Sequence, residues 1–577
     1  MSLNLIPPTE VGSPIPANTP HAVSVTLPTW KSNIAYEEGE EWVASKLTSG
    51  YPRFFIHTFI QKLAGYIEDQ YGREKEKCLI FPTYEVACRC RNFIRQYSKL
   101  TDVSLRILQL STPKVESDSK NLLLLDKAST TFSAIFFPES EFYLAKAYWQ
   151  HSGEGISSRM AEFCLDKFSQ VKNDDCEHSH IPGSKCGGFH KPSTKNNILE
   201  YKSQDQNKES STFLEERFGR NLDLSLAKDA EQALRRRIVS KINENSSASE
   251  NSATEHDVYL YPSGMASIFN AHRITMKARN NTQKSVCFGF PYVDTRNILT
   301  KFGAGFHFYG QGDDHDLDKL EELMESGEQV LALFCEFPSN PLLKAPNLKR
   351  IYALASKYDF LVVVDETIGN FSNVHVLPFA DIVVSSLTKV FSGDSNVMGG
   401  SLVLNPDGKY YDLLKTTLAS EYENLLWPQD VIYLERNSRD FVERSSKINC
   451  TTEAVANLFQ NNPLIKTVYY PKLNDSRKYY DACKKKDGGY GGLLSIIFHI
   501  PKHAQLFYDA VLTAKGPSLG TNFTLTSPYA ILAHYCELDY ISQFGVDRNL
   551  IRISVGLENQ EDLCKTFQKA LDVAATK

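Results

Sequence analysis

Four short apolar runs between Gln329 and Asn405 most constrain the fold of this 577-residue chain. The runs are QVLALFCEF, FLVVVDET, DIVVSSLTK and SLVLN, and each has the length of a buried strand. Between the first two, LKRIYALASKYD has helical spacing, with Ile351, Leu354 and Ala355 on one side. Buried strands separated by helices predict an α/β fold with a parallel-rich sheet covered on both faces.

Residues with useful chemistry fall at the ends of these runs. Such sheets bind ligands outside the carboxyl ends of their strands, where Asp365, Lys389 and the Glu336–Pro341 turn lie. A lysine at an inner strand end is costly to bury, and an imine to an aldehyde cofactor would account for Lys389. For this residue taken alone, a side chain turned toward water is the alternative.

Asp365 ends the strand before Lys389, where its carboxylate could pair with a protonated pyridine nitrogen. The VVVDE pattern also resembles the magnesium-binding strand of P-loop ATPases. Those enzymes need a G-x-x-x-x-G-K-[ST] loop, which this chain lacks. The ATPase interpretation is therefore rejected.

Two further features suit a planar, phosphorylated ligand. Ser263, Gly264 and Met265 form a small-residue turn before a helical stretch, and a helix N-terminus presents free N–H groups to an anion. Tyr292 could place its ring against a flat cofactor, although a lone aromatic residue is more often part of a core.

Seven motifs together resemble the Cys/Met-metabolism family of pyridoxal-phosphate (PLP) enzymes of fold type I. They cover residues from about Glu215 to Leu571, in the family's order. The matching segments are Phe218–Arg220, Ser263–Ala266, Tyr292–Thr295, Glu336–Pro341, Asp365 together with Ser386–Lys389, Ser518–Gly520 and Arg552–Glu558.

The resemblance implies that PLP is bound by Lys389, the catalytic residue, with Asp365 at the ring nitrogen and Tyr292 stacked on the ring as a second catalytic group. It implies phosphate contacts from Ser386, Thr388, Gly264 and Met265. Arg220 would reach the phosphate of a neighbouring subunit, which implies a homo-oligomer, either a dimer or a tetramer. No metal is expected.

On the substrate side, the resemblance implies that Arg552 holds the α-carboxylate through a bidentate fork, assisted by Asn340 and Ser518. The substrates would be small amino acids. The implied reaction is γ-replacement on an O-acylhomoserine by cysteine or sulfide, which gives cystathionine or homocysteine. A cystathionine or cysteine lyase and a non-catalytic, PLP-binding regulatory protein are the alternatives left open.

Three residues depart from the family pattern. Phe218 replaces a tyrosine, which removes one expected phosphate contact. Glu366 stands where asparagine usually follows the aspartate. Phe523 stands where a glutamate near the substrate is usual, so we expect an apolar wall there and an advantage for sulfide over cysteine.

We predict three parts: an N-terminal extension ending in a polar linker (1–205), a PLP-binding large domain (206–435) and a smaller C-terminal α/β domain (436–577). The extension contains Tyr51-Pro52-Arg53, a helical stretch and IFPTYEVACRCRNFI, which parallel Phe218–Arg220, a helix and LYPSGMASIFNAHRI. Chance similarity between two helix–strand units is the alternative. If the repeat is real, we expect the extension to be a structural or regulatory remnant.

Composition excludes several classes of function. A net charge of −6 argues against nucleic acid as a partner, and no apolar run is long enough to span a membrane. The N-terminus resembles neither a secretory signal nor a mitochondrial presequence. Twelve scattered cysteines favour reduced thiols in a cytoplasmic protein. A cluster from Cys176 to His190 fits no ordinary zinc spacing and is interpreted as a loop.

Overall fold

A computed structural model describes residues 9–51, 55–113, 129–177, 226–245, 252–280 and 282–576. Arg220, Phe218 and the histidines of the Cys176–His190 cluster lie outside these ranges. No helix in the described ranges is both long and apolar enough to cross a membrane. The described elements form three sheets.

The first sheet belongs to the N-terminal module (residues 58–177). It has three antiparallel strands in the order β1-β3-β2, packed against helices around a core that also includes Leu425 and Trp427 from later in the chain. The elements up to its end are α1 (Trp30–Glu37), α2 (Glu41–Ala44), α3 (Thr58–Tyr71), β1 (Glu76–Phe81), α4 (Tyr84–Tyr97), β2 (Arg106–Ser111), β3 (Thr131–Pro138), α5 (Phe142–Ser152) and α6 (Ser158–Glu177). Because α6 continues to Glu177, the start of the predicted linker is helical.

The second sheet belongs to the central module (residues 226–437). Its order is β4-β10-β9-β8-β7-β5-β6, with helices on both faces. The elements are α7 (Ala227–Ile242), β4 (Val258–Tyr261), α8 (Gly264–Arg279), β5 (Ser285–Phe288), α9 (Val293–Lys301), β6 (Phe306–Tyr309), α10 (Asp314–Glu325), β7 (Ala332–Glu336), α11 (Leu348–Tyr358), β8 (Leu361–Asp365), β9 (Ile382–Ser386), β10 (Gly400–Leu404), α12 (Tyr411–Glu421) and α13 (Pro428–Asn437).

The predicted strands and helix of the central module are present. Ile351, Leu354 and Ala355 are buried on one side of α11. Strands β5 to β9 pair in parallel, but β10 runs antiparallel to both of its neighbours. The β9–β10 connection contains no crossover helix, which a parallel return would need. The sheet is therefore parallel-rich, as predicted, while SLVLN departs from a fully parallel arrangement.

The third sheet belongs to the C-terminal module (residues 438–576), with the order β11-β12-β15-β14-β13. Its elements are α14 (Phe441–Gln460), β11 (Ile465–Tyr469), α15 (Arg477–Cys483), β12 (Leu493–Phe498), α16 (Pro501–Ala510), β13 (Ala514–Lys515), β14 (Leu525–Ser527), α17 (Tyr529–His534), α18 (Leu538–Ser542), β15 (Ile551–Ser554) and α19 (Gln560–Ala575).

The segment before the N-terminal module packs on this third sheet. Trp30 belongs to the C-terminal core, and the backbone N–H of Leu27 donates to the carbonyl of Lys515 at 2.9 Å. The chain therefore packs against the C-terminal module before it enters the first sheet. The predicted boundaries at 205/206 and 435/436 stay predictions.

Candidate active site

One cavity, of about 190 Å³, lies at the carboxyl ends of β7, β8 and β9. All three modules contribute to its wall. The structure brings together at this cavity every predicted site residue that it describes: Lys389, Asp365, Ser386, Thr388, Gly264, Met265, Tyr292, Arg552, Asn340 and Ser518.

Lys389 is the central group of the cavity. It follows β9 by three residues, because the strand ends at Ser386, and its side chain is buried at 6% exposure. Its Nζ donates to Ser518 Oγ at 2.8 Å and to the hydroxyl of Tyr51 at 3.2 Å. Burial lowers the pKa of Lys389, partly offset by Tyr51. Desolvation of this kind makes an amine a better nucleophile near neutral pH.

Two carboxyl groups lie side by side at one end of the cavity. Glu336 and Asp365 are paired residues of the parallel strands β7 and β8. Glu336 accepts the N–H groups of Tyr292 at 2.5 Å and Asn340 at 2.8 Å. Burial and the neighbouring Asp365 raise the pKa of Glu336 to about 8, and burial raises that of Asp365. In the described part of the chain, no cation forms an ion pair with Asp365.

The N-terminus of α8 forms another wall. Ser263 caps the helix by accepting the N–H of Ala266, while helix geometry leaves the amides of Gly264 and Met265 without an intrahelical partner. A Cβ on Gly264 would lie 2.5 Å from that of Ser386, so only glycine fits at this contact. The Thr388 hydroxyl bonds to the backbone of Gly399, donating to its carbonyl at 3.2 Å.

Arg552 lies on the C-terminal side of the cavity. It is 6% exposed, and its guanidinium donates to Asn340 Oδ1 at 3.0 Å and to the carbonyl of Ser518 at 2.6 Å. The ring of Tyr529 lies 4.6 Å from the guanidinium carbon. Burial lowers the pKa of Arg552. An arginine held in this manner is positioned for a planar anion such as a carboxylate.

Sequence reasoning missed the contribution of the N-terminal region. Tyr51, His57 and Trp149 line the cavity, and the ring of Tyr51 lies 4.4 Å from the Lys389 amine. The similarity of Tyr51-Pro52-Arg53 to Phe218–Arg220 was the signal that could have found Tyr51. The expectation of a mere structural or regulatory remnant did not place it in the site.

Phe523 does not form the expected apolar wall. It is buried at 6% exposure in a cluster with Ile15, Ala514 and Leu525, and it is not among the residues that line the cavity. The reason is the N-terminal segment, which brings Ile15 over β13 and β14 and covers the ring. The expectation of an apolar wall at Phe523 was therefore wrong, while the expected advantage for sulfide over cysteine stays a prediction.

Glu366 also lies away from the cavity. It is 2% exposed, and within the described residues its Oε1 has no hydrogen-bond partner. It borders a small space lined by Val374, His375 and Leu377. Burial raises the pKa of Glu366 to about 8, against the charge of Lys485, which lowers it.

The donor set fits PLP. Free amides at the start of α8 suit a phosphate, and Tyr292 suits the flat ring. The Lys389 amine suits the aldehyde, and a pyridinium cation would relieve the burial cost that raises the pKa of Asp365. The close Gly264–Ser386 contact is typical of a surface shaped for close approach of a ligand to backbone.

Comparisons with known proteins agree with this chemistry. The family model of Cys/Met metabolism PLP-dependent enzymes matches residues 244–572, and that of the fungal trans-sulfuration enzyme N-terminal domain matches residues 59–157. The chain is 48% identical to the cystathionine gamma-synthase of Neurospora crassa, covering 99% of both chains. It is 42% identical to that of Saccharomyces cerevisiae, covering 98% of this chain and 99% of the other.

The fold is similar to that of a solved cystathionine gamma synthase from Xanthomonas oryzae pv. oryzae. The TM-score is 0.51 at 22% identity, over 61% of this chain and 88% of that one. At this identity the likeness concerns the fold alone.

Proposed function

This chain belongs to the Cys/Met metabolism family of PLP-dependent enzymes, and on that premise we propose that it catalyses γ-replacement on an O-acylhomoserine. A thiol or sulfide displaces the acyloxy group. Cysteine gives cystathionine and sulfide gives homocysteine, with one carboxylic acid released in either case. The relatives that carry the name cystathionine gamma-synthase support this choice within the family.

The arrangement of three groups around one cavity carries the proposal. A buried amine from Lys389, a half-buried carboxyl from Asp365 and a buried guanidinium from Arg552 all face the same space. Each is costly to bury, and each matches one part of a PLP-bound amino acid.

Substrate binding follows from Arg552. Its guanidinium would take the α-carboxylate by a charge-assisted fork, and the contacts to Asn340 and Ser518 hold the group in the plane required. The Ser518 hydroxyl, which accepts from Lys389, keeps the amine close to the substrate α-carbon side of the cavity. These contacts orient the substrate before any bond changes.

Proton transfer follows from Lys389 and Asp365. PLP, when bound, supplies an electrophilic aldehyde and an electron-accepting pyridine ring. Asp365 would hold a proton at the ring nitrogen. The Nζ of Lys389, whose pKa burial lowers, would remove a proton from the substrate α-carbon, give it up, and then remove one from the β-carbon. Loss of the β-proton allows the γ-acyloxy group to leave as a carboxylate, and the incoming thiol loses its own proton as it adds at the γ-carbon. Nζ would then return a proton to the β-carbon and one to the α-carbon.

A substrate panel tests the proposal. Purified protein with PLP is given O-acetyl- or O-succinylhomoserine together with cysteine or sulfide, and products are measured by mass spectrometry. We expect cystathionine or homocysteine from at least one pair, and none from Lys389→Ala. If no pair gives a product, the proposal is rejected. Faster release of 2-oxo acid and ammonia from cystathionine alone would instead identify a lyase.

We also propose a cytoplasmic homo-oligomer, as the family resemblance implies. Size-exclusion chromatography with light scattering measures the assembly, and a monomer at all concentrations would contradict it.

A further inference from the structure

The N-terminal and central modules repeat one succession of elements. In the first it is α3-β1-α4, then β3-α5-α6, and in the second it is α7-β4-α8, then β10-α12-α13. The outer strands pair antiparallel in both, β1 with β3 and β4 with β10. Between the two halves, the described residues of the N-terminal module form β2 alone, whereas the central module has β5 to β9 with helices α9 to α11.

The repeated elements also pack alike. Helix α3 packs on α6 as α7 packs on α13, and α4 packs on α5 as α8 packs on α12.

The residues at the start of corresponding helices also match between the two modules. A proline follows each strand, Pro82 after β1 and Pro262 after β4. A hydroxyl residue then caps the next helix by accepting an N–H three residues on, Thr83 in one module and Ser263 in the other. Matching order, pairing, packing and caps make chance similarity a poor account of the sequence repeat.

Contacts between the two modules are reciprocal. The Ser263 hydroxyl donates to the carbonyl of Gly153, just after α5, at 3.1 Å. The Thr83 hydroxyl donates to Glu423, just after α12, at 2.8 Å. The matching helices α6 and α13 meet through a buried ion pair between Arg159 and Asp430 at 2.9 Å. Each surface thus uses the same elements, as in an isologous pair related by a two-fold axis.

We propose that the N-terminal module is a reduced internal copy of the central module, docked on it as a second subunit would be, and that the segment leading into its first helix thereby supplies Tyr51 as a catalytic residue beside Lys389 of the same chain. Tyr51 lies seven residues before α3 of that copy. The proposal rests on the proposed function only in taking Lys389 as the reacting amine.

Tyr51 acts on the protonation of that amine. Its hydroxyl accepts from Lys389 Nζ at 3.2 Å, and its ring faces the same charge. Both contacts favour the ammonium form, against the burial that lowers the pKa of Lys389. Burial raises the pKa of Tyr51, but the charge and hydrogen bond of Lys389, together with a hydrogen bond to Tyr292, outweigh it and the net pKa is lowered. The hydroxyl is thus placed to exchange a proton with the amine across this contact.

The first test is the titration of Lys389 in the full-length apoprotein. Competitive acylation with acetic anhydride over a pH series, followed by peptide mass spectrometry, gives the pH midpoint of this lysine. In Tyr51→Phe we expect the midpoint to fall by at least about half a unit, which is about threefold faster labelling near neutral pH. Tyr143→Phe, at a residue of α5 that is 55% exposed, should leave the midpoint unchanged. An unchanged midpoint in Tyr51→Phe overturns the proposal.

The second test asks which chain supplies Tyr51. Full-length Tyr51→Phe and Lys389→Ala chains with different tags are produced together, and doubly tagged oligomers are labelled in the same way. Lys389 then occurs only on the Tyr51→Phe chain. We expect its midpoint to equal that of Tyr51→Phe alone, and a wild-type midpoint would show supply from another chain and overturn the proposal.

If light scattering shows a monomer, a midpoint shift in Tyr51→Phe alone establishes supply within one chain; if oligomers form but do not mix, the two chains are refolded together before labelling. Neither test uses turnover, so a failed substrate panel would leave both results interpretable.

Discussion

Glu366→Gln isolates the cost of burying one carboxyl group. In the folded protein burial raises its pKa from 4.5 to about 8, whereas the unfolded chain restores the ordinary value. The folded state therefore keeps a proton that the unfolded state loses. The stabilising contribution of this group is complete below the unfolded pKa and is lost as the pH rises toward the folded pKa. At 1.36 kcal/mol per pKa unit, the loss reaches about 3 kcal/mol by pH 7 and about 5 kcal/mol above pH 8.

Glutamine has nearly the shape of protonated glutamate and does not titrate. We therefore expect equal stability of wild type and Glu366→Gln near pH 4. At pH 7 we expect an advantage of at most about 3 kcal/mol for the variant, because it also loses the attraction of Glu366 to the buried Lys485. Urea denaturation over a pH series measures this difference. Glu74→Gln, at an exposed turn position, is the matched control, and its stability should vary with pH in the same way as that of wild type. Parallel curves for Glu366→Gln would mean that this carboxyl is ionised in the fold, and the reasoning would fail.

Three further predictions concern the site. Lys389→Ala should abolish the borohydride-reducible link to PLP, and a label mapped to another lysine would contradict the assignment. Arg552→Lys should raise the substrate KM about ten- to a hundredfold, from about 1.5–3 kcal/mol of charge-assisted hydrogen bonding, with PLP binding intact; an unchanged KM would place the carboxylate elsewhere. Gly264→Ala should weaken PLP binding in fluorescence titrations of apoprotein, because its Cβ would lie 2.5 Å from that of Ser386, whereas Gly65→Ala has open space and should not. Equal PLP affinity in the two alanine variants would refute that account.

The central sheet was predictable because its strands are buried on both faces and therefore read as unbroken apolar runs. The residues at the strand ends were predictable because local motifs carry them. The direction of a strand was not predictable, because SLVLN has the same composition whether it runs parallel or antiparallel. The β9–β10 connection, residues 387–399, is long enough for a crossover, so its length did not give the direction either.

The neighbours of Phe523 and Lys389 were not predictable for another reason. Ile15 and Tyr51 reach these residues across hundreds of positions of sequence, and no local pattern encodes such contacts. The family resemblance placed Phe523 at the cavity, because it stands where the family has a glutamate. In the structure Phe523 lies elsewhere, because the N-terminal segment packs over its ring. The sequence shows the repeat that contains Tyr51. The contact between Tyr51 and Lys389 is visible only in the structure, where the two modules pack together.

The ion pair between Arg159 and Asp430 shows what fusing two related modules permits. Where identical subunits meet on a symmetry axis, a residue there faces its own duplicate, and like charges would repel. Two related surfaces encoded in tandem can diverge separately, so one can carry the cation and the other the anion. The buried pair then favours docking of one module on the other, because either charge buried without its partner would be uncompensated.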